Sequence, residues 1–317
     1  MKKLLCLILV CFMLVSLASC GFSSLLESES EGFLENDNTD AKTDETVADT
    51  KVEADTKVET EANKNEITFN GLTVIDDNEC LVKITKIDPD NWLGYSLKVL
   101  VENKNASKTY TFSVDDVYVN GVACSSSFYE EVSAGKKANG DVTMLTTSLE
   151  ENGLKDITDI EITFKVYDSE TYDNVAKKTV HVYPYGEAKA TKFVRESKPT
   201  DTVIVNDKNL EVVATGFEWD SIWGYTINLY IVNKSEKNLM ITTDEESING
   251  FMLDPYFATS VNAGKSSFVS MMWSKTTMEE NEITNVENIE FIIRAYNSDD
   301  IFEGDIVNQT VKLKPAA

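Results

Sequence analysis

The chain has 317 residues, 42% of them hydrophobic, and carries 54 acidic against 29 basic side chains for a formal net charge of −25 at pH 7. Such a surface excludes nucleic acid as a partner, because phosphate binding needs clustered Lys and Arg, and it repels anionic lipid headgroups. A single histidine leaves almost nothing from which to assemble a histidine-based triad or a zinc cluster.

The first twenty residues read MKKLLCLILVCFMLVSLASC, with Lys2 and Lys3 ahead of an apolar run from Leu4 to Leu17 and small residues after it. This is the pattern of a secretion signal. An apolar run of about 14 residues falls short of the roughly 20 that a spanning helix needs. Its end, Leu17-Ala18-Ser19-Cys20 followed by Gly21, resembles the lipobox of bacterial lipoproteins. The resemblance implies that residues 1–19 are a signal peptide, that Cys20 is lipidated, and that the mature chain is extracytoplasmic and held to the cell membrane by its anchor. Stable anchoring takes two acyl chains, each buried CH₂ contributing about 0.8 kcal/mol. The alternative is an ordinary cleaved signal with an incidental cysteine.

Residues 20–65 read as a lipidated start followed by a disordered acidic linker. From 21 to 65 there are 13 acids against 4 lysines, few aromatics, and the hexapeptide ADTKVE twice in succession at 48–59. Such a stretch cannot bury a core. A random coil of this length averages roughly 35–40 Å end to end, and its charge extends it further. A loose acidic calcium sponge is the other reading, but no fixed spacing of ligands supports it.

Beyond the linker the chain repeats itself. LGYSLKVLVENKNASK (93–108) matches WGYTINLYIVNKSEKN (223–238) at an offset of 130, and SLEENGLKDITDIEITFKVYDS (148–169) matches TMEENEITNVENIEFIIRAYNS (277–298) at 129. A period this long indicates a duplicated domain, since solenoid and propeller units run to about 20–50 residues. The expected organisation is a first β-sandwich repeat over 66–184, an interdomain linker over 185–199 and a second repeat over 200–317, each large enough for its own core.

Within each copy the hydrophobic period is two. Tyr95, Leu97, Val99 and Val101 alternate with polar residues, as do Tyr225, Ile227, Leu229 and Ile231; Ile160, Ile162, Phe164 and Val166 form another such run, matched by Ile289, Phe291, Ile293 and Ala295. These predict half-buried strands. Further strands are expected near 80–87, 109–114, 137–145 and 178–183, with Asn-Gly turns at 120 and 249. Ser148 with Glu151, and Thr277 with Glu280, fit capping boxes, so one helical turn should precede each late strand. About seven antiparallel strands per copy predict an all-β fold of two tandem immunoglobulin-like antiparallel sandwiches, with a small barrel as the alternative.

The phrase VSAGK at 132–136 returns as VNAGK at 261–265 and reads as a strand end followed by a glycine turn. Ser133 to Lys136 also spells S-x-x-K, a nucleophile motif of penicillin-recognising enzymes. Its S-D-N and K-T-G partners are missing, and the second copy has Asn262 in place of the serine. His181 lies in a strand-like run without a histidine or cysteine beside it, and no phosphate-binding glycine loop occurs. Close carboxylate pairs are expected by chance among 54 acids. The residues therefore predict no catalytic site and no enzyme.

Cys80 and Cys124 both fall in the first copy, and their counterparts are Leu210 and Leu253, so both positions should be buried and apolar. A disulfide between them is allowed outside the cytoplasm if they face each other. Three features could carry binding. Asp88, Asp90 and Trp92 recur loosely as Glu218, Trp219, Asp220 and Trp223, which would suit a sugar or peptide if exposed, although tryptophan in a sandwich more often packs in the core. Asn297, Asp299, Asp300, Glu303 and Asp305 supply oxygens for calcium, the one cofactor considered, but lack a glycine-centred loop pattern. Strand edges are the third.

Gly-Tyr, the Asn-Lys strand end, Asn-Gly, Ala-Gly-Lys and Glu-Glu-Asn recur in both copies on an acidic stalk. In this the whole chain resembles lipoproteins of Gram-positive bacteria that carry tandem immunoglobulin-like domains of unknown function. The resemblance implies an envelope protein and transfers no catalytic residue. The function expected is non-catalytic binding of an envelope protein or cell-wall component, or a structural role there. The alternatives are a ligand-receiving subunit of a transporter or sensor, against which stands the lack of alternating helix and strand patterns, and a hydrolase with paired carboxylates near 184–200.

Overall fold

A computed structural model describes residues 66–220 and 222–315; the signal, Cys20 and the acidic linker lie outside the described residues. The first repeat runs β1 (Leu72–Asp76), β2 (Cys80–Asn91), β3 (Gly94–Asn103), β4 (Tyr110–Val119), β5 (Val122–Ala123), β6 (Ser126–Ser127), β7 (Tyr129–Val132), β8 (Lys137–Leu145), α1 (Thr146–Glu151), β9 (Ile160–Asp168) and β10 (Asn174–Val182). A 3₁₀ turn at Glu187–Lys189 leads to the second: β11 (Thr202–Asn206), β12 (Leu210–Asp220), β13 (Gly224–Asn233), β14 (Leu239–Ile248), β15 (Phe251–Met252), β16 (Ala258–Val261), β17 (Ser266–Ser274), α2 (Lys275–Glu280), β18 (Ile289–Asn297) and β19 (Asp305–Leu313). The fold is all-β, two antiparallel sandwiches in tandem. The strand count exceeds seven per copy because the segments between the Asn-Gly turns and the Ala-Gly-Lys turns break into pieces of two to four residues.

In the first sandwich the sheet β1-β2-β3-β8-β6 faces the sheet β10-β9-β4, and their inward side chains form one core that includes Val82, Leu97, Val99, Phe112, Ile162 and Phe164. The second sandwich repeats this with a separate core that includes Leu210, Ile227, Leu229, Trp273, Phe291 and Ile293. Each large side chain so buried contributes about 1.5–3 kcal/mol relative to exposure. The period-two pattern is the cause: alternate residues of β3 and β13 point at the facing sheet.

The two repeats are also joined by backbone. Val122 of β5, paired to β4 on one side, bridges in parallel to Ser266 of β17 on the other, and the Ser266 amide donates to the Gly121 carbonyl at 2.9 Å. A single nine-stranded sheet thus runs through both sandwiches. Sequence patterning predicts two sheets per repeat and is silent on this seam.

Turns follow their residues. Asn120 and Gly121 have φ of 51° and 86°, and Asn249 and Gly250 of 50° and 85°, as expected of a turn needing two left-handed residues. In Ala-Gly-Lys the glycines Gly135 and Gly264 have φ of 67° and 69°, following Val132 and Val261 at the ends of β7 and β16. The capping-box expectation fails in detail. The cap of α2 is Ser274, whose side chain accepts from the Thr277 amide, and its counterpart Leu145 gives α1 no side-chain cap. The helices start three residues earlier than the Ser/Thr-x-x-Glu spacing suggests, directly off the strand ends, where the Thr146 and Lys275 amides donate to the Leu93 and Trp223 carbonyls beside Gly94 and Gly224. A Cβ on Gly94 would lie 2.0 Å from the Met144 carbonyl oxygen, and one on Gly224 2.2 Å from that of Trp273.

A buried asparagine closes the opposite end of each repeat. Asn103 Nδ2 donates to the Lys108 and Val132 carbonyls, both at 2.8 Å, and its Oδ1 accepts from the Asn105 amide. Asn233 does the same with Lys237, Val261 and Ser235. Both asparagines are fully buried, so the Asn-Lys motif ties the β3 or β13 end to two loops.

Candidate functional site

The β2–β3 and β12–β13 hairpins extend past the cores and carry the aromatic candidates at their tips. Trp92 is 87% exposed, Trp219 45% and Trp223 58%, with Ile222 at 70% between the latter two. The expectation that tryptophan packs in the core holds only for Trp273, which is fully buried and donates its indole N–H to the Leu253 carbonyl at 2.8 Å. Register explains the split. Tyr225 pairs with Trp219 on one side and Trp273 on the other, and the three rings step outward from the core, 6.4 Å and then 5.9 Å between centroids. Trp219 is therefore the outer end of an aromatic row whose inner end is core.

Asp220 fixes the tip. Its Oδ1 accepts from the Ile222 and Trp223 amides at 2.6 and 2.7 Å, an Asx turn, and those two N–H groups hold its carboxyl below the ordinary range. It thus shapes the loop and offers one further oxygen outward. In the first repeat Asn91 takes the equivalent role toward the Leu93 amide, while Asp88 pairs with Lys98 at 3.3 Å and Asp90 is exposed. The two tips are not brought together. β13 leads from Gly224 at the second tip to Asn233 near Ser266 and the seam, so that tip stands roughly 30 Å beyond the joint at about 3.3 Å per residue.

The oxygen-rich loop does not converge on a point. Glu303 is taken by Lys237 at 2.6 Å and by the Asn297 amide, Asp305 by Arg294 and Asn308, Asp299 by the Asn238 amide, and Asp300 by the Phe302 amide. Lys237 and Arg294 respectively hold the Glu303 and Asp305 carboxyls down. Among the described residues, no group of three or more His, Cys, Asp or Glu is placed to hold a metal ion.

Cys80 and Cys124 are free and buried. A bond between them is precluded by distance. Cys80 pairs with Asn103 at one end of β3, whereas Cys124 lies beside Ser148 of α1, near the Gly94 end. That is roughly 25 Å along the strand, against a Cα separation under about 7 Å in a disulfide. Burial pushes the thiols up to about 12 and about 11, as suits packed hydrophobes.

Between the repeats the structure assembles a cluster that spacing alone did not reveal. His181 faces Asp159 through Nδ1 at 2.7 Å and Glu161 through Nε2 at 3.1 Å, and Glu161 also receives Lys265 of the second Ala-Gly-Lys turn. Both ring nitrogens are occupied by carboxylates, which leaves neither aimed at a substrate. Lys265 lies over the Tyr118 ring, and the Tyr118 hydroxyl accepts from the Asn262 amide at 3.2 Å. Nearby Phe193 packs edge-on to Phe268, which abuts Tyr230, and Arg195 covers Tyr230 while clamping Asp201 through two 2.7 Å bonds. Asp159, Glu161 and Asp201, which flank the linker, are thus bound in structural pairs. One signal for this joint existed in the sequence: at Tyr118, Tyr230 and Phe268 the other copy has Ser247, Leu100 and Asn139, so the repeats diverge where one seats on the other.

No protein-family model and no curated protein sequence matches the chain. Among solved structures it is similar to an exo-β-D-glucosaminidase, CsxA, at 15% identity and a TM-score of 0.25, covering 73% of this chain and 26% of that one. A red sea bream transglutaminase shows 9% identity and a TM-score of 0.24 over 76% of this chain and 32% of that one. A protein of unknown function from Porphyromonas gingivalis W83 shows 13% identity and a TM-score of 0.20 over 78% and 100%. The chain spans about a quarter to a third of the two enzymes.

Proposed function

We propose that the protein is an extracytoplasmic lipoprotein, anchored through Cys20, that displays two immunoglobulin-like modules and binds another envelope component, a protein or a cell-wall component, without catalysis. The observation that carries this reading is the second tip: Trp219, Ile222 and Trp223 stand exposed on a loop held in shape by Asp220. Large apolar side chains grouped at a loop end on a rigid scaffold are what partner recognition uses, and aromatic anchors dominate binding energy. The Leu-Ala-Ser-Cys end of the signal supports the anchor, and the acidic composition of residues 21–65 supports a stalk that holds the modules away from the membrane.

Crosslinking on intact cells followed by affinity capture of the full chain tests the binding. Replacing Trp219 and Trp223 together by Ala should lose the captured partner while leaving the folded modules intact. Capture of the same partner at the same yield would overturn the role of the tip. Cys20→Ala should release the protein from the membrane fraction, and a variant still membrane-bound would remove the anchor.

A further inference from the structure

The joint inside the chain is made of two different surfaces. One is the Asn-Gly end of the first repeat, where Gly121 and Val122 offer a short strand edge beside Glu161. The other is the Ala-Gly-Lys end of the second repeat, which seats Ser266 on that edge and Lys265 on that acid. Because the repeats are copies, each surface has a counterpart in the other repeat, unoccupied among the described residues, with Ser247, Leu100 and Asn139 standing where Tyr118, Tyr230 and Phe268 line the internal joint. The second repeat ends in Asn249-Gly250, followed by Phe251 and Met252 on the edge strand β15, 48% and 67% exposed, whereas Val122, the counterpart of Phe251, is fully buried. The first repeat ends in Ala134-Gly135-Lys136, with exposed Lys136 and Lys137 at the positions of Lys265 and Ser266.

We propose that these two free ends dock on each other between copies of the chain, so that the second repeat of one molecule receives the first repeat of the next as it would a third repeat. The internal joint is the argument for this occupant: it shows what covers an Asn-Gly end in this protein. The charges also match. Glu290 stands at the position of Glu161, flanked by Lys312 as Glu161 is flanked by His181, and Lys136 brings the cation that Lys265 supplies inside the chain. The seam would be extended by the same means, an edge strand accepting a neighbour, while Phe251 and Met252 offer the apolar surface at ends that carry Ser247 and Asn139 in place of Tyr118 and Phe268. An interface between unlike surfaces is head-to-tail and propagates into a filament or a ring. The contact leaves the tryptophan tip free, as Trp92 remains 87% exposed beside the internal joint.

The test is cysteine trapping in the full chain, extracted from membranes in mild detergent. Lys137 and Phe251 correspond to Ser266 and Val122, which are bridge partners. A chain carrying Lys137→Cys with Phe251→Cys should give a ladder of disulfide-linked oligomers under mild oxidation, with Phe251→Cys alone giving no ladder. Pairing Lys137→Cys with Phe302→Cys, at a still more exposed site (92%) on a different loop, should leave monomer. Monomer from the first pair, an equal ladder from the control pair, or crosslinking of the Phe251→Cys variant in cells to a different protein through its new thiol would each overturn the proposal.

Discussion

Replacing Asp201 by Asn should destabilise the second repeat by an amount that shrinks as pH falls. Asp201 is bound at both oxygens by Arg195, each at 2.7 Å, and Oδ2 also accepts from the Lys198 amide. The side chains are only 8% and 12% exposed, so the pair is little screened. Arg195 first, and the Lys198 N–H after it, push the Asp201 carboxyl from 3.8 down to about 2. At about 1.4 kcal/mol per pKa unit this corresponds to roughly 2 kcal/mol. The native value is depressed, so the contribution is present in full above the unfolded value near 4 and is lost as pH falls toward 2. Urea unfolding of the parent and Asp201→Asn, followed by Trp fluorescence at pH 7, 4 and 2.5, measures the difference directly. About 2 kcal/mol at pH 7, falling to about 0.8 at pH 2.5, is the expected pattern. A difference below about 0.5 kcal/mol at pH 7, or one that does not change with pH, would refute the clamp as a stabilising element.

Asn103→Ala, or Asn233→Ala, should cost about 2–4 kcal/mol, because two buried carbonyls lose their donor along with the space the amide fills; thermal unfolding of each variant reports it. Gly224→Ala should cost several kcal/mol or abolish soluble expression, since its Cβ would meet backbone at 2.2 Å, and a fully stable variant would contradict the described hairpin. Trp273→Ala should lose about 3–5 kcal/mol, while Trp223→Ala should change stability by less than about 0.5, the contrast following from burial. A thiol reagent should label neither Cys80 nor Cys124 in the folded protein and both after denaturation, as read by peptide mapping, given their burial and raised thiol values.

Strand periodicity was legible where one face is buried and the other wet. The runs at 95–101 and 225–231 are strands because alternate residues meet the opposite sheet. Composition concealed the rest. β2 continues to Asn91 through Asp88-Pro89-Asp90, which reads as a loop, because β1 covers only its first half and Pro89 then lies on an open edge where its missing N–H costs nothing. β4 continues to Val119 across Asp115 and Asp116, where a bulge lets the acids face outward. Which tryptophans stand out could not be read, since Trp223 and Trp273 both sit in strand-like surroundings and only the hairpin's length beyond the core separates them. The joint left one trace in the sequence, the divergence of Tyr118, Tyr230 and Phe268 from their counterparts in the other copy. It depends on residues distant in the chain, such as Tyr118, His181 and Lys265, meeting across the seam.

The seam between β5 and β17 is one bridge long, and this gives the molecule a mechanical order of failure. If a partner pulls on the second tip while the other end is held, that bridge and the Lys265 contact are loaded before either sandwich, whose strands are paired along their lengths. The linker 185–199 would be loaded next, through the Phe193 amide on the Asn120 carbonyl, Thr191 on Thr158 and the Arg195–Asp201 clamp, and once these release it is worth up to roughly 50 Å of extended chain. The chain would lengthen by less than that while both cores stay closed.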